Sequence, residues 1–163
     1  MTFIELSDHT DLVNAHLGGF NEHLGLIFTK ANLDEVEAEL EVRPEHHQPY
    51  GLVHGGVYST MVETLASTGA ALNAMQDGLS AVGLDNHTSF LRAVRAGKLM
   101  GRATPIAKGR RTQVWTVQIH DEQARLVAEG RVRLLCLEPG SSVAGEEIAI
   151  RTVDLDTIAE EDT

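Results

Sequence analysis

The sequence predicts an α+β fold, with one long buried helix inserted ahead of a run of antiparallel strands. Three observations carry this. Residues 35–42 alternate strictly between acidic and apolar side chains. Residues 54–76 lack proline and repeat apolar side chains at helical spacing, and from Gly78 onwards short alternating runs are separated by turn residues. The 163 residues make one ordinary domain, long enough to bury a core without disulfide or metal staples. With 42% hydrophobic and 23% charged residues, wholesale disorder is not expected.

Along the chain, Asp8 is expected to cap a short helix over His9–Leu17, which Gly18-Gly19 would end. Residues 1–23 therefore read as an N-terminal helical segment. Leu24–Thr29 predicts a strand paired with Glu35-Val36-Glu37-Ala38-Glu39-Leu40-Glu41-Val42, whose period of two puts a row of carboxylates on one face. The same glutamates would repel at i,i+4 on a helix, so alternation decides for a strand. A loop over Arg43–Val53 holds Pro44 and Pro49.

The long helix follows over His54–Gln76. Val57, Met61, Leu65, Thr68, Leu72 and Met75 form one stripe; Ser59, Thr60, Glu63, Ala66, Ser67 and Ala70 form the opposite face. Glu63 is the lone acid or base in the stretch. A solvated face would carry several charges, so both sides are predicted to be buried, with the small residues allowing close approach. Strands are then predicted at Leu79–Asp85, Ser89–Arg95, Lys98–Ala107, Thr112–Asp121 and Arg125–Leu137, with short turns that imply antiparallel neighbours. Trp115, Val117 and Ile119 should share one buried face; Val132, Leu134 and Cys136 another, with Arg131 and Arg133 pointing away. Residues 139–163 read as an acidic tail, partly disordered, in which Ile148, Ile150 and Val153 offer one short element.

The amino end has no basic start, and nowhere do 18 apolar residues run together, so no signal peptide or membrane span is expected, and the cytoplasm is the expected location. One cysteine excludes a disulfide framework, and Cys136 reads as a core residue. His9, His16 and His23 recur every seven residues, but Gly18-Gly19 interrupt them and the usual companions are absent, so no metal is expected. The net charge of −11 is unevenly spread: residues 92–133 hold ten Lys and Arg against three Asp and Glu. Two readings stand, an alternating charged sheet face or a site for a small polyanion. Nucleic acid is disfavoured, since the rest of the chain would repel it and seven aromatics leave little for base stacking.

No nucleophile elbow, P-loop, dinucleotide fingerprint or zinc-protease motif occurs. What remains is the junction His54-Gly55-Gly56 at the helix start, followed by Glu63. Unpaired N–H groups and the positive end of the dipole suit a developing oxyanion there, although glycines are also common at tight loop-to-helix junctions. A carboxylate within a buried helix must be paired, protonated or facing a cavity, so Glu63 is either functional or held by a structural hydrogen bond. Gly55 and Glu63 are eight residues apart, roughly 12 Å along one helix. A single carbonyl cannot touch both unless they come from different chains, with helices side by side and antiparallel across a two-fold axis. Ser67, one turn beyond Glu63, could hold a water or orient the carboxylate.

The run Gln48-Pro49-Tyr50-Gly51-Leu52-Val53-His54-Gly55-Gly56, with an acid in the following helix, resembles the hotdog-fold acyl-CoA thioesterases of the PaaI-like group. The similarity continues through Ala103–Trp115, which includes Lys108-Gly109-Arg110-Arg111-Thr112-Gln113, and through Arg125–Gly130; it covers about residues 25–138. A glutamate on the helix, rather than aspartate, is similar to the branch that includes bacterial 4-hydroxybenzoyl-CoA thioesterase. The resemblance implies a hotdog fold over 24–138, an antiparallel sheet of about five to six strands wrapped around one long central helix. It implies that the Gly55 N–H polarises the thioester carbonyl, that Gln48 helps, and that Glu63 attacks the carbonyl or activates water with the assistance of Ser67. His54 would take a structural or positioning role. It further implies homodimers with shared active sites, paired into tetramers, and no cofactor beyond the CoA thioester substrate. The basic middle then has a ligand, the phosphates of coenzyme A, with Arg92, Arg110, Arg111 and Thr112 as the candidates. A hotdog hydratase or dehydratase using His47 or His54 with Glu63, and a non-catalytic acyl-CoA binding protein, are the alternatives.

Overall fold

The computed structural model describes residues 8–148. Two short helices, α1 (Thr10–Ala15) and α2 (Gly19–Leu24), lead into strands β1 (Leu26–Ala31) and β2 (Val36–Glu41). The long helix α3 (Gly55–Gln76) follows, then β3 (Ser80–Phe90), β4 (Lys98–Lys108), β5 (Thr112–Asp121) and β6 (Leu126–Leu137). The six strands form one sheet in the order β1-β2-β4-β5-β6-β3, antiparallel at every pairing. The chain thus leaves β2 near one edge, runs through α3, and lays β3 down at the other edge. α3 packs against all six strands on the way. This is the α+β arrangement that the alternating and helical patterns predict.

The core lies between α3 and one sheet face. Val36, Ala38 and Leu40 of β2, Trp115, Val117 and Ile119 of β5, and Val132 and Leu134 of β6 are buried there, while Arg131 and Arg133 point outward. The helix approaches closely because its contact residues are small. A Cβ on Gly69 would stand 2.5 Å from Cη2 of Trp115, so only glycine lets that indole lie on the helix. Ala66 and Ala70 are also fully buried within the chain. The face expected to meet a second copy is therefore narrower than the sequence suggests, and its half-buried members are Ser59, Thr60, Glu63 and Ser67.

Several expectations need correction. Leu79–Asp85 and Ser89–Arg95 are not two strands: β3 runs unbroken over 11 residues, with a register irregularity between Gly83 and Asp85. It then ends at a connection in which the Leu91 and Arg92 N–H groups both donate to the Val127 carbonyl. The first helix ends at Ala15, before Gly18-Gly19; Gly18, at φ +74°, turns the chain and Gly19 begins α2, which pushes β1 two residues beyond its predicted start. Asp8 accepts from the Thr10 N–H and hydroxyl at the head of α1, although His9 is the residue at the N-cap position. Cys136 is half-buried rather than core, beside the Gln113 amide and the Gly109 carbonyl. The Ile148 N–H closes a small hairpin of β7 (Ser142–Val143) and β8 (Glu146–Glu147); Ile150 and Val153 lie outside the described residues.

The basic middle is largely an alternating charged face. β2 lies beside β4, so its glutamates meet cations across the pair: Lys98 with Glu39 at 2.9 Å, and Arg102 with Glu35 and Glu37. Lys108 pairs with Asp34, Arg110 with Glu138, Arg125 with Asp121 and Arg133 with Asp85. Most of these pairs are exposed and shape the surface more than they hold the fold; the Asp121 carboxylate, 3% exposed, is the exception. No helix among the described residues is long and apolar enough to cross a membrane.

The two sheet edges are treated differently. On β1, the Asn14 side chain takes both backbone groups of Phe28, accepting from its N–H and donating to its carbonyl at 2.9 Å each, and the His9 N–H takes the Ala31 carbonyl. That edge is closed to another strand. We expect Asn14→Ala to lower the unfolding free energy by about 1–3 kcal/mol in urea denaturation, the cost of stranding buried polar groups. No change would mean that water replaces the amide. β3, by contrast, has no fully buried residue, and its outer edge is the unpaired end of the sheet.

Candidate active site

The first half of the site is the start of α3, held by the loop before it. Pro44–His46 form a 3₁₀ turn that buries the His46 ring, whose Nδ1 accepts from the Arg43 N–H while Nε2 meets the Leu24 carbonyl. Burial holds His46 below the usual imidazole value, so it stays a neutral strut. The His46 carbonyl accepts from the His54 N–H, and His47 pairs with Val53 across the loop. Gln48 is half-buried within this loop, and its side-chain oxygen accepts from the Tyr50 N–H. That bond fixes the amide and leaves its NH₂ as the available donor.

At the helix start, His54 occupies the N-cap. Its Nδ1 accepts from the Gly56 N–H at 2.8 Å, and its carbonyl accepts from the Val57 N–H. An accepting Nδ1 assigns the proton of the neutral ring to Nε2. With those two N–H groups taken, the Gly55 N–H is the one that has no partner among the described residues. It sits where the helix dipole is positive. A Cβ on Gly55 would stand 2.5 Å from Cε2 of Phe90, so any larger residue here displaces that ring.

Phe90 was not singled out in the sequence. Its ring covers Gly55, remains 56% exposed, and stacks obliquely on Tyr58 with centroids 5.9 Å apart. Tyr58 is itself 3% exposed, and its hydroxyl has no hydrogen-bond partner among the described residues. Burial, with the Asp121 carboxylate adding to it, pushes that hydroxyl up to about 12, so it stays protonated. The sequence signal was an aromatic residue after the polar run Asp85–Ser89, which could not be interpreted until α3 was seen to start beneath it.

The second half is Glu63. Ser67 donates to its Oε1 at 3.1 Å, and Asn86 on β3 donates to its Oε2 at 3.0 Å. Gly83 makes the room, since a Cβ there would stand 2.6 Å from Oε1. None of the ion pairs among the described residues involves Glu63. The carboxylate is thus oriented by neutral donors rather than neutralised, an arrangement open to a nucleophile or a general base. Asn86, also missed in the sequence, falls in the gap between the two strands predicted there.

The two halves belong to one helix and stand roughly 12 Å apart along it. The structure brings Glu63 together with Ser67, and Gly55 together with His54 and the Gln48 loop, but not the first pair with the second group. The phosphate candidates are divided as well. Arg92 lies two residues past Phe90, at the α3 N-terminal end. Arg110 and Arg111 lie in the β4–β5 turn at the other end and Thr112 opens β5; there Arg110 lines a cavity of about 430 Å³ with Asn73, Asp77 and Cys136. A 22-residue helix separates these ends by roughly 30 Å. His9, His16 and His23 sit on the β1 edge, at the end of α1 and in α2 respectively, and no cluster of three or more His, Cys, Asp or Glu that could hold a metal occurs among the described residues.

Comparisons with known proteins place the chain in a family. The model of the family described as the thioesterase superfamily matches residues 50–128, from the Gln48 loop to the start of β6. The Rv1847 protein of Mycobacterium tuberculosis is 46% identical over 121 residues, 73% of this chain and 86% of that protein. Its solved structure aligns with a TM-score of 0.72. The proofreading thioesterase EntH of Cronobacter sakazakii is 38% identical over 71% of this chain and 84% of its own length. The structure of thioesterase HI1161 from Haemophilus influenzae aligns with a TM-score of 0.71 at 34% identity, covering 85% of this chain and 92% of that one. With one long helix laid across an antiparallel six-stranded sheet, and with a relative 46% identical over 73% of the chain, the chain has the hotdog fold and belongs to the thioesterase superfamily.

Proposed function

We propose that the chain hydrolyses acyl-CoA thioesters, with a preference for aromatic acyl groups, at sites shared between two copies. The observation that carries this is the pairing of an open Gly55 N–H and an oriented Glu63 carboxylate, too far apart on one helix to meet on one carbonyl. The open β3 edge beside Glu63 offers the surface for the second copy. The thioester carbonyl oxygen accepts from the Gly55 N–H of one copy, helped by the Gln48 NH₂. Glu63 of the other copy then either attacks the carbonyl carbon, giving an anhydride that water opens, or takes a proton from water as that water attacks. The C–S bond breaks on both routes, and the products are a carboxylate and the CoA thiol. Removing an oxyanion donor of this type costs about 10²–10³ in rate.

His54 supports the reaction by capping Gly56, so that the neighbouring N–H is left for the substrate. Arg92 stands on the carbonyl-binding side and is the candidate for the nearer CoA phosphates. Arg110, Arg111 and Thr112 stand a helix length away within one copy, so they would meet the same coenzyme from another copy of the assembly. A soluble coenzyme substrate places the reaction in the cytoplasm. A carrier-protein thioester would present the same reacting group, and the name of the EntH relative points to a proofreading task in that protein.

The aromatic preference rests on Phe90. Its exposed ring, backed by Tyr58, stands beside the N–H that would hold the carbonyl, where a flat acyl group can stack for about 0.5–1.5 kcal/mol beyond its area. Thiol release should be measured across a panel of aromatic and aliphatic CoA thioesters. We expect hydroxybenzoyl-CoA to exceed hexanoyl-CoA about tenfold in kcat/KM, and Phe90→Ala to remove most of that margin. Equal loss on both substrates would take Phe90 out of specificity. Hydration of crotonyl-CoA without thiol release would overturn the hydrolase itself.

A further inference from the structure

We infer that Asn86 is a positioning residue for the Glu63 carboxylate, set in its turn by Thr88, so that the open edge strand orients the reacting acid. This rests on the hydrolase reading above. Both hydrogens of the Asn86 NH₂ are used: one goes to Glu63 Oε2 and one to the Ser59 carbonyl, each at 3.0 Å. The Asn86 oxygen accepts from the Thr88 hydroxyl at 2.6 Å. That pattern fixes the amide's orientation, because a flipped amide would aim its oxygen at two acceptors.

Two glycines in the sheet keep this relay in place. Gly83 leaves space for Glu63 Oε1, and Gly130 on β6 leaves space for Thr88, whose hydroxyl would lie 2.9 Å from a Cβ there. Asn86 also reaches across from β3 to the turn of α3 that begins at Ser59, and so ties the strand to the helix exactly one turn before the acid it holds. With Ser67 on Oε1 and Asn86 on Oε2, each carboxylate oxygen has one neutral donor, and the remaining lone pairs are free for the reaction. Asn86 never needs to touch substrate in this scheme. It acts through Glu63.

The test is a double-mutant cycle on the full-length assembled protein, read by thiol release from the panel's best substrate. Asn86→Ala should lower kcat about tenfold with KM within about twofold, since a positioning loss is felt in the transition state rather than in binding. Thr88→Val should lose less, about threefold. Asn86→Asp, of equal size but with an acid in place of the donor, should lose more than Asn86→Ala. In a Glu63→Gln background both Asn86→Ala and Thr88→Val should have almost no further effect, because what they act through is gone. Losses that simply multiply with Glu63→Gln, or an Asn86→Ala enzyme with normal kcat, would overturn the role of Asn86 and leave the hydrolase reading standing. A wild-type protein that releases thiol from no thioester would instead overturn the hydrolase reading. Gel filtration and thermal melts of each variant separate these results from a failure to fold or assemble.

Discussion

Glu63→Gln is expected to reduce turnover by at least ~100-fold while leaving fold and assembly intact. The substitution keeps the shape and nearly all the hydrogen bonding. The new amide oxygen can accept from the Asn86 NH₂, and the new amide NH₂ can donate to the Ser67 hydroxyl, which reverses its role. No buried group is stranded, so the melting temperature should stay within a few degrees. What disappears is the negative charge, and with it the group proposed to act as nucleophile or base. A variant with near-normal kcat would remove Glu63 from the mechanism. The same residue bears on the two routes: under single turnover in oxygen-18 water, label found in the Glu63 carboxylate means direct attack followed by opening of the anhydride at the Glu63 carbonyl.

The long helix, its start and its acid could be read from residues alone because each has a local cause. An apolar stripe, a glycine pair at a helix head and a charge with no local partner need no tertiary knowledge. β2 and β5 were equally open, since a strand buried on one face must alternate. β3 was misread for the corresponding reason. It is an edge strand with no fully buried residue, so Asn86, His87 and Thr88 read as a break between two strands. Asn86 and Phe90 were missed because neither carries a signal without its partner: one matters through Glu63, the other through Gly55. The charge block left two readings open, and the sheet pairing favours the alternating charged face for part of it. Its count is real, but β2 lies beside β4, and the glutamates that looked remote in sequence take up Lys98 and Arg102 in space. Spacing along the chain likewise grouped Arg92 with Arg110 and Arg111, which the helix holds at opposite ends.

Mixing two defective variants is expected to restore activity, and this is the sharpest consequence of a divided site. A Glu63→Gln chain keeps its Gly55 N–H. A Gly55→Ala chain keeps its Glu63, but its new methyl meets the Phe90 ring and disturbs the helix start. Each homodimer has two damaged sites. In a mixed dimer, the intact Glu63 of one chain meets the intact Gly55 of the other, while both lesions fall together in the second site. Refolding the two variants together at equal amounts makes about half of the dimers mixed, so activity should return to about a quarter of wild type, against ~1% for Glu63→Gln alone. Mixing Glu63→Gln with Asn86→Ala supplies the control, because both lesions then lie in the same half-site and no gain above the average of the two is expected. If Glu63 and Gly55 served one carbonyl within a single chain, the first mixture would also show no gain. The roughly 12 Å between them along α3 is the reason for proposing a divided site, and the mixing experiment asks the assembled protein the same question.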